Sequence, residues 1–216
     1  MDKEFVMSLV NDKGSKRSLQ KAVGPSEVGG CRRRVWHRLL GSQPTNEDTL
    51  GMAAWMGTAI HSAIERNMKR KDDPFNPRYL LEVEVEYDGM RGHVDCYDTQ
   101  EFEVVDWKTI TKKKASAFPS SQQRTQVQIY GYLLENTGRR VDTVTLVGLP
   151  RDGNELDIKI HSEPYDIDMA VKGLLWLAQI ENNLDVIPEP EMPKRFCRDY
   201  CQYYDATGDV GCPSAG

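Results

Sequence analysis

The sequence predicts an α/β protein, with an α-βββ-α-β core in which a mixed central sheet is flanked by helices. Three observations predict it. Apolar residues recur at helical spacing from Met52 to about Lys69, the period drops to two from Leu81 to Tyr87, and helical spacing returns over Gln122–Glu135. Helix, strands, helix and strand in that order place helices on both faces of one sheet.

Each element has its own signal. Residues 1–25 are polar and basic, with Lys13, Lys16, Arg17 and Lys21, and read as an N-terminal arm closed by Gly24-Pro25. Ser26 is placed to cap a helix running to Leu40, and Gly41 to stop it. The next helix, carrying Trp55, Ile60, Ile64 and Met68 on its apolar side, ends at Asp72-Asp73-Pro74. Leu81, Val83, Val85 and Tyr87 alternate with Glu82, Glu84 and Glu86, the pattern of a half-buried strand with a solvated acidic face. Asp88-Gly89 is a two-residue hairpin signal leading into Met90–Tyr97, and a polar turn leads on to Glu103–Ile110. After the helix that closes near Gly138, β-branched runs predict strands at Val141–Leu149 and Leu156–His161. A long helix follows over Asp166–Asn183. The Pro-rich IPEPEMP stretch then opens a tail, so the expected organisation is an arm (1–25), a main domain (26–187) and a cysteine-containing tail (188–216).

Composition narrows the function classes. With 216 residues the chain can bury a core without disulfide staples. No apolar run approaches the roughly 20 residues of a membrane span, and MDKEFVMSLVNDKGSK lacks the apolar centre of an export signal. A cytoplasmic protein that does not enter membranes is expected. The net charge of −5 argues against gripping nucleic acid by bulk charge, while leaving room for a local basic groove.

The strongest chemical signal is Gly92-His93-Val94-Asp95 followed by Asp106-Trp107-Lys108. On neighbouring strands, Asp95 and Asp106 can converge, and Asp106 and Lys108, two apart, share a face. Two carboxylates suit a hard cation such as Mg²⁺ or Mn²⁺, and a lysine beside them can act on an attacking water or on developing phosphate charge. The plain alternative is a solvated Asp–Lys pair on a strand end. His61, in Gly57-Thr58-Ala59-Ile60-His61, is a metal ligand or a core histidine, with Glu65 one turn on as an outer partner. Gln126 and Tyr130 share one helical face and could hold a phosphate or a base.

In this order, G-x-x-x-H, G-x-x-D, D-x-K and Q-x-x-x-Y, the residues resemble the RecB-type branch of the PD-(D/E)XK nuclease superfamily, over roughly residues 26 to 212. The resemblance implies a restriction-endonuclease-like fold. His61, Asp95, Asp106 and the backbone carbonyl of Trp107 would be the metal ligands, Lys108 would serve the water, and Gln126 and Tyr130 would complete the catalytic set. Val94 replaces the proline of the superfamily's name, as is usual in this branch. It also implies a DNA exonuclease, acting on single strands or ends, alone, as a homo-oligomer or with a protein partner. Phage or CRISPR-linked DNA processing would be its setting, in host cytoplasm if phage-encoded.

Cys31, Cys96, Cys197, Cys201 and Cys212 are more in keeping with metal ligands or buried thiols than with disulfides. One cysteine ahead of the motifs and three behind resembles the iron–sulfur nucleases of the AddB and CRISPR-associated RecB-like groups. By that resemblance Cys31, Cys197, Cys201 and Cys212 would bind a structural 4Fe–4S cluster, with zinc the alternative. Cys96 is left as a buried thiol. Lys112, Lys113, Lys114 and Arg124 are the expected DNA-phosphate contacts, ahead of the basic runs at Arg32–Arg34, Lys69–Lys71 and Arg139–Arg140. Trp36, Trp55 and Trp176 read as core, while Tyr200, Tyr203 and Tyr204 stay open between packing and base stacking. The other functional readings are a catalytically weak DNA-binding or regulatory subunit on the same fold, and a zinc-stabilised nucleic-acid-binding protein.

Overall fold

The computed structural model describes residues 22–46, 51–209 and 211–215. The basic residues expected in the N-terminal arm, Lys13, Lys16, Arg17 and Lys21, all lie outside them. The described chain divides into two compact units. One, the sheet unit, takes Gly24–Val28 and Met56–Leu175; the other, the cysteine unit, takes the described residues of Gly29–Trp55 and Trp176–Gly216 together with Ala22 and Val23. The division falls at residues 175/176, so the boundary expected at 188 lies inside the cysteine unit.

The sheet unit is built on five strands in the order β1-β2-β3-β4-β5. They are β1 (Tyr79–Tyr87), β2 (Met90–Asp98), β3 (Glu103–Ile110), β4 (Thr143–Pro150) and β5 (Lys159–Pro164). β1, β2 and β3 form an antiparallel meander, β4 joins β3 in parallel, and β5 closes the edge antiparallel to β4. The first turn is the predicted one: Asp88 and Gly89 both have positive φ, +50° and +78°, as a twist-matched two-residue hairpin requires. A parallel pair needs a long crossover, and the helix α3 (Ser121–Asn136) supplies it between β3 and β4. Ser120 starts α3 with a capping box: its hydroxyl accepts from the Gln123 N–H and the Gln123 side chain accepts from the Ser120 N–H. Val127, Ile129, Leu133 and Leu134 of α3 are buried, as are Val94, Val104, Val144 and Leu146 on the strands.

The last two strands start two or three residues later than the sequence pattern suggests. Asn154 accepts from the Leu156 N–H and opens a short 3-10 turn at Glu155–Asp157, which keeps Leu156 out of β5. The helix α2 (Gly51–Lys71) precedes the sheet and α4 (Ile167–Glu181) follows it.

In the cysteine unit, α1 (Arg32–Leu39) begins after Cys31, which sits at the N-cap without a side-chain cap bond. Ser26 is therefore not the cap. Pro25–Glu27 form a separate 3-10 turn, Val28 is extended, and the helix restarts only beyond Gly29-Gly30. The Glu191 carboxylate accepts from the Arg32 N–H and guanidinium at 2.6 and 2.9 Å, and the Trp36 indole N–H donates to the Leu184 carbonyl at 2.9 Å. Trp36 and Trp176 are half-buried, but Trp55 is 47% exposed and does not belong to the core. The tail is held by α5 (Lys194–Tyr200) and two isolated bridges, Pro193 with Ala215 and Tyr204 with Cys212.

Candidate active site

Four of the expected residues converge in the sheet unit. β2 carries Asp95, β3 carries Asp106 and Lys108, and α2 carries His61. The His61 Nδ1 lies 3.3 Å from Asp95 Oδ1, and the backbone N–H of Trp107 donates to Asp95 Oδ2 at 2.9 Å. Both oxygens of Asp95 are thereby oriented by the protein. Asp106, only 2% exposed, pairs through Oδ2 with Lys108 Nζ at 2.7 Å. Its Oδ1 meets the Gln126 amide at 3.4 Å, and that amide lies 3.4 Å from the Tyr130 hydroxyl. Gln126 and Tyr130 are both buried, which places them as supports of Asp106 within the site rather than as an open surface for a base.

The motif glycines have a steric reason. A Cβ on Gly92 would lie 2.6 Å from the Tyr130 ring, and one on Gly57 would press on the Thr109 hydroxyl at 3.3 Å. The two close approaches let α3 and α2 lie against the strands that carry the acids. Glu65, expected behind His61, pairs with Lys69 at 2.7 Å instead, because an i,i+4 partner on its own helix is nearer.

Negative charge gathered away from water raises proton affinity. Burial, opposed by the Lys108 ammonium and reinforced by Asp95, pushes the Asp106 carboxyl up to about 6. Burial alone would lower the His61 imidazole, but its hydrogen bond to Asp95 and the charges of Asp95 and Asp106 raise it. Oxygen and imidazole donors that crave positive charge are the donor set of a divalent cation, which would replace the protons.

One residue of the site was not anticipated. Ligand atoms of His61, Glu82 and Asp95 all lie within 4.8 Å of one another, and this is the one such group of three among the described residues. Glu82 reads in sequence as part of a solvated acidic face. The signal that could have found it is the hairpin itself, since a turn at Asp88-Gly89 sets residue 82 opposite residue 95. Two residues directly opposite in an antiparallel pair share a face of the sheet.

The expected phosphate contacts are distributed differently. Lys112, Lys113 and Lys114 are exposed in a 3-10 turn directly after β3, with Lys112 paired to Asp157 at 3.0 Å. Arg124 is held by Glu163, with Nη2 at 2.6 Å from Oε2, and Arg140 pairs with Asp142 at 2.6 Å.

In the cysteine unit, Cys31, Cys197, Cys201 and Cys212 line one pocket. Burial and then the neighbouring thiols Cys201, Cys212 and Cys31 push Cys197 up to about 11, and burial also raises Cys201. Thiols held neutral by burial, and for Cys197 next by the neighbouring thiols, fit a metal site, where the metal takes their protons' place. No three of these sulfurs share the 4.8 Å closeness of the acidic group. Tyr203 and Tyr204 are buried beside them, Tyr203 stacked on His37 at 5.0 Å, while Tyr200 is 42% exposed. Cys96, apart from the four in the sheet unit, is buried on β2, and burial raises its thiol to about 12.

A search of curated protein sequences returns no match. Among solved structures the chain is similar to SSO0001, with a TM-score of 0.58 and 18% identity, over 92% of this chain and 94% of that one. It is also similar to an alkaline exonuclease from Laribacter hongkongensis, with a TM-score of 0.50 and 13% identity, over 78% and 92% of the two chains. At these identities the likeness is one of fold, and the fold is the mixed sheet flanked by helices described above. The family model of the PD-(D/E)XK nuclease superfamily matches residues 68–206, a span that takes in Glu82, Asp95, Asp106, Lys108, Gln126 and Tyr130. The chain belongs to the PD-(D/E)XK nuclease superfamily, whose members cut with the help of divalent metals.

Proposed function

We propose that the protein is a Mg²⁺- or Mn²⁺-dependent DNA exonuclease with a structural 4Fe–4S cluster on Cys31, Cys197, Cys201 and Cys212. The observation that carries the nuclease reading is the convergence of His61, Asp95 and the Asp106–Lys108 pair on one site of a superfamily member. Exonuclease rather than endonuclease action follows the fold likeness to the Laribacter enzyme.

His61, Asp95 and Asp106, with the Trp107 carbonyl, would hold the cation. When bound it supplies Lewis-acid stabilisation of phosphate charge and a more acidic water. The chain's own groups do the rest. The Trp107 N–H fixes Asp95, and Gln126 fixes Asp106. Lys108 stands at the mouth of the acidic pair, with its side chain 20% exposed, to orient the attacking water or move its proton. Lys113 and Lys114, directly after β3, are placed to receive phosphates of the strand being cut, while Lys112 and Arg124 would first exchange their carboxylate partners. Among the described residues no helix is long and apolar enough to cross a membrane.

The order of the cysteines, one ahead of the nuclease motifs and three behind, supports the cluster over zinc through its resemblance to the iron–sulfur nucleases.

Anaerobic purification followed by digestion of end-labelled DNA tests the whole reading. Brown protein that releases labelled mononucleotides with Mn²⁺ or Mg²⁺, and none with chelator, is the expected result. Cutting of closed circular DNA at the same rate as of linear DNA would overturn the exonuclease reading. Colourless protein with one zinc per chain would overturn the cluster.

A further inference from the structure

We propose that Phe196 and Tyr200, together with Lys194, Arg195 and Arg198, form a platform on α5 that binds single-stranded DNA, stacking on its bases and contacting its phosphates. The choice of DNA rests on the nuclease reading above, and the proposal extends that reading to a contact in the cysteine unit.

The first observation is a pair of rings. Phe196 and Tyr200, four residues apart, share one face of α5, and their centroids lie 5.3 Å apart with the planes inclined by 37°. Phe196 is 36% and Tyr200 42% exposed, although the interior of the same unit buries Tyr203 and Tyr204. Two neighbouring aromatic residues left open to water are a surface on which flat rings stack, and every nucleobase has such a face.

The second observation is charge. α5 carries Lys194, Arg195 and Arg198, all exposed, against a single acid, Asp199, which takes the Arg198 Nε at 2.9 Å. This cationic surplus lies in a chain whose net charge is −5. Rings set among charges of one sign complement a polyanion that carries rings of its own, whereas the middle of a protein–protein interface is depleted of charged residues. Duplex DNA fits less well, since its base faces are already stacked on one another.

The third observation is the mount. The Phe196 and Cys197 N–H groups both donate to the Pro193 carbonyl, at 2.9 and 3.1 Å, and Pro193 is bridged to Ala215. At the other end the Asn46 amide donates to the Arg198 and Cys201 carbonyls, each at 2.9 Å. A helix held at both ends gives up little freedom when a ligand settles on it, which favours affinity. Phe196 also borders the pocket lined by the four cysteines, while Tyr200 is not among the lining residues, so Tyr200 can be replaced without opening the cysteine site.

The test is fluorescence anisotropy of a labelled oligothymidylate, and of a blunt duplex of equal length, with the full chain purified anaerobically and held in chelator so that nothing is cut. Tyr200→Ala is expected to weaken oligothymidylate binding by about fivefold or more, and to change duplex binding much less. Tyr200→Phe should bind like wild type, because the ring and not the hydroxyl stacks. Phe196→Ala should weaken binding as Tyr200→Ala does; circular dichroism and metal content are checked beside it, and if either changes, Tyr200→Ala decides. Arg195→Gln should flatten the slope of log affinity against log salt by about 0.7, the share of one phosphate on a single strand. Ultraviolet irradiation of the complex should cross-link thymine to the peptide carrying Phe196 and Tyr200, as read by mass spectrometry. Wild-type affinity for oligothymidylate in Tyr200→Ala, cross-links that fall only elsewhere, or no binding by wild type would each overturn the proposal and leave the rings as a surface for another protein. Digestion of end-labelled DNA with Mn²⁺, run in parallel, decides the nuclease reading separately. A chain that binds through Tyr200 but cuts nothing would keep the platform and overturn the nuclease.

Discussion

The acidic site and the cysteine site solve the same problem, gathering reactive groups out of water, by opposite means. In the sheet unit every side chain proposed as catalytic stands on a regular element, and its partners are other protein groups: Lys108 for Asp106, His61 and the Trp107 N–H for Asp95. The site is organised by the protein's own groups. In the cysteine unit the four thiols come from the start of α1 and from a tail held by a seven-residue helix and two isolated bridges. Around Cys197, burial and then the neighbouring thiols raise the proton affinity, and the thiol itself donates to the Met192 carbonyl at 3.4 Å. A site whose groups satisfy one another can lose its ion and keep its shape. A site whose groups only crowd one another depends on what it binds. The first should separate activity from stability, and the second should join them.

The largest expected effect tests the first half of that contrast. Lys108→Ala should lower DNA turnover by about 10²- to 10⁴-fold, the range of a lost general acid or base, while Mn²⁺ and DNA binding persist. Lys108→Arg should not rescue it, since the planar guanidinium stays protonated and fills a different volume. Melting of the two variants should stay within a few degrees of wild type. Single-turnover cleavage by the arginine variant at the wild-type rate would reduce Lys108 to a simple charge.

Much of this contrast can be read in the sequence, and the part that cannot has a common cause. Periodicity located α2, the meander and α3 to within a few residues, because local spacing decides which face is buried. The motif order placed Asp95, Asp106 and Lys108 together because they sit on adjacent strands joined by short turns. The nearness of Glu82 to Asp95 was out of reach of the alternation Glu82-Glu84-Glu86, which looks the same at every step; only the count back from the Asp88-Gly89 turn sets it apart. The partners of Lys112 and Arg124 were out of reach for a different reason. Asp157 and Glu163 lie some 40 residues away, and only the placement of the turn before β5 and of β5 itself brings them in.

A smaller effect tests the second half. Cys31→Ala and Cys201→Ala should each abolish the visible absorption of anaerobically purified protein. They should also lower stability on the scale of losing a cross-link across a long loop, about 2–5 kcal/mol. Cys96→Ala, in the sheet unit, should keep the colour and cost about 1 kcal/mol, as an ordinary small truncation in a core does. If Cys31→Ala keeps its colour, the amino-terminal thiol is not a ligand and the cysteine unit is not joined through it.

The smallest effect asks whether the sheet unit's independence of metal extends to its edge, where an ion pair rather than a cation holds the chain. Arg78 donates to both oxygens of Asp98, at 2.6 to 3.0 Å, and the Gln100 and Glu101 N–H groups donate to Asp98 as well. Burial would raise the Asp98 carboxyl, but these bonds, with the Arg78 guanidinium foremost, hold it below its ordinary value. A carboxyl depressed in the folded state stabilises fully above its unfolded value, near pH 4, and that contribution fades as pH falls through the lower folded value. Asp98→Asn should therefore cost about 1–3 kcal/mol at neutral pH, the worth of hydrogen bonds to a charged group. Its melting curve should converge with that of wild type as the pH is lowered from 5 towards 3. Because the pair lies in the sheet unit and far in chemistry from the thiols, the colour of the protein should survive the substitution at every pH where wild type keeps it. A constant stability gap between the two proteins across that range would mean that Asp98 acts by packing and not by its charge.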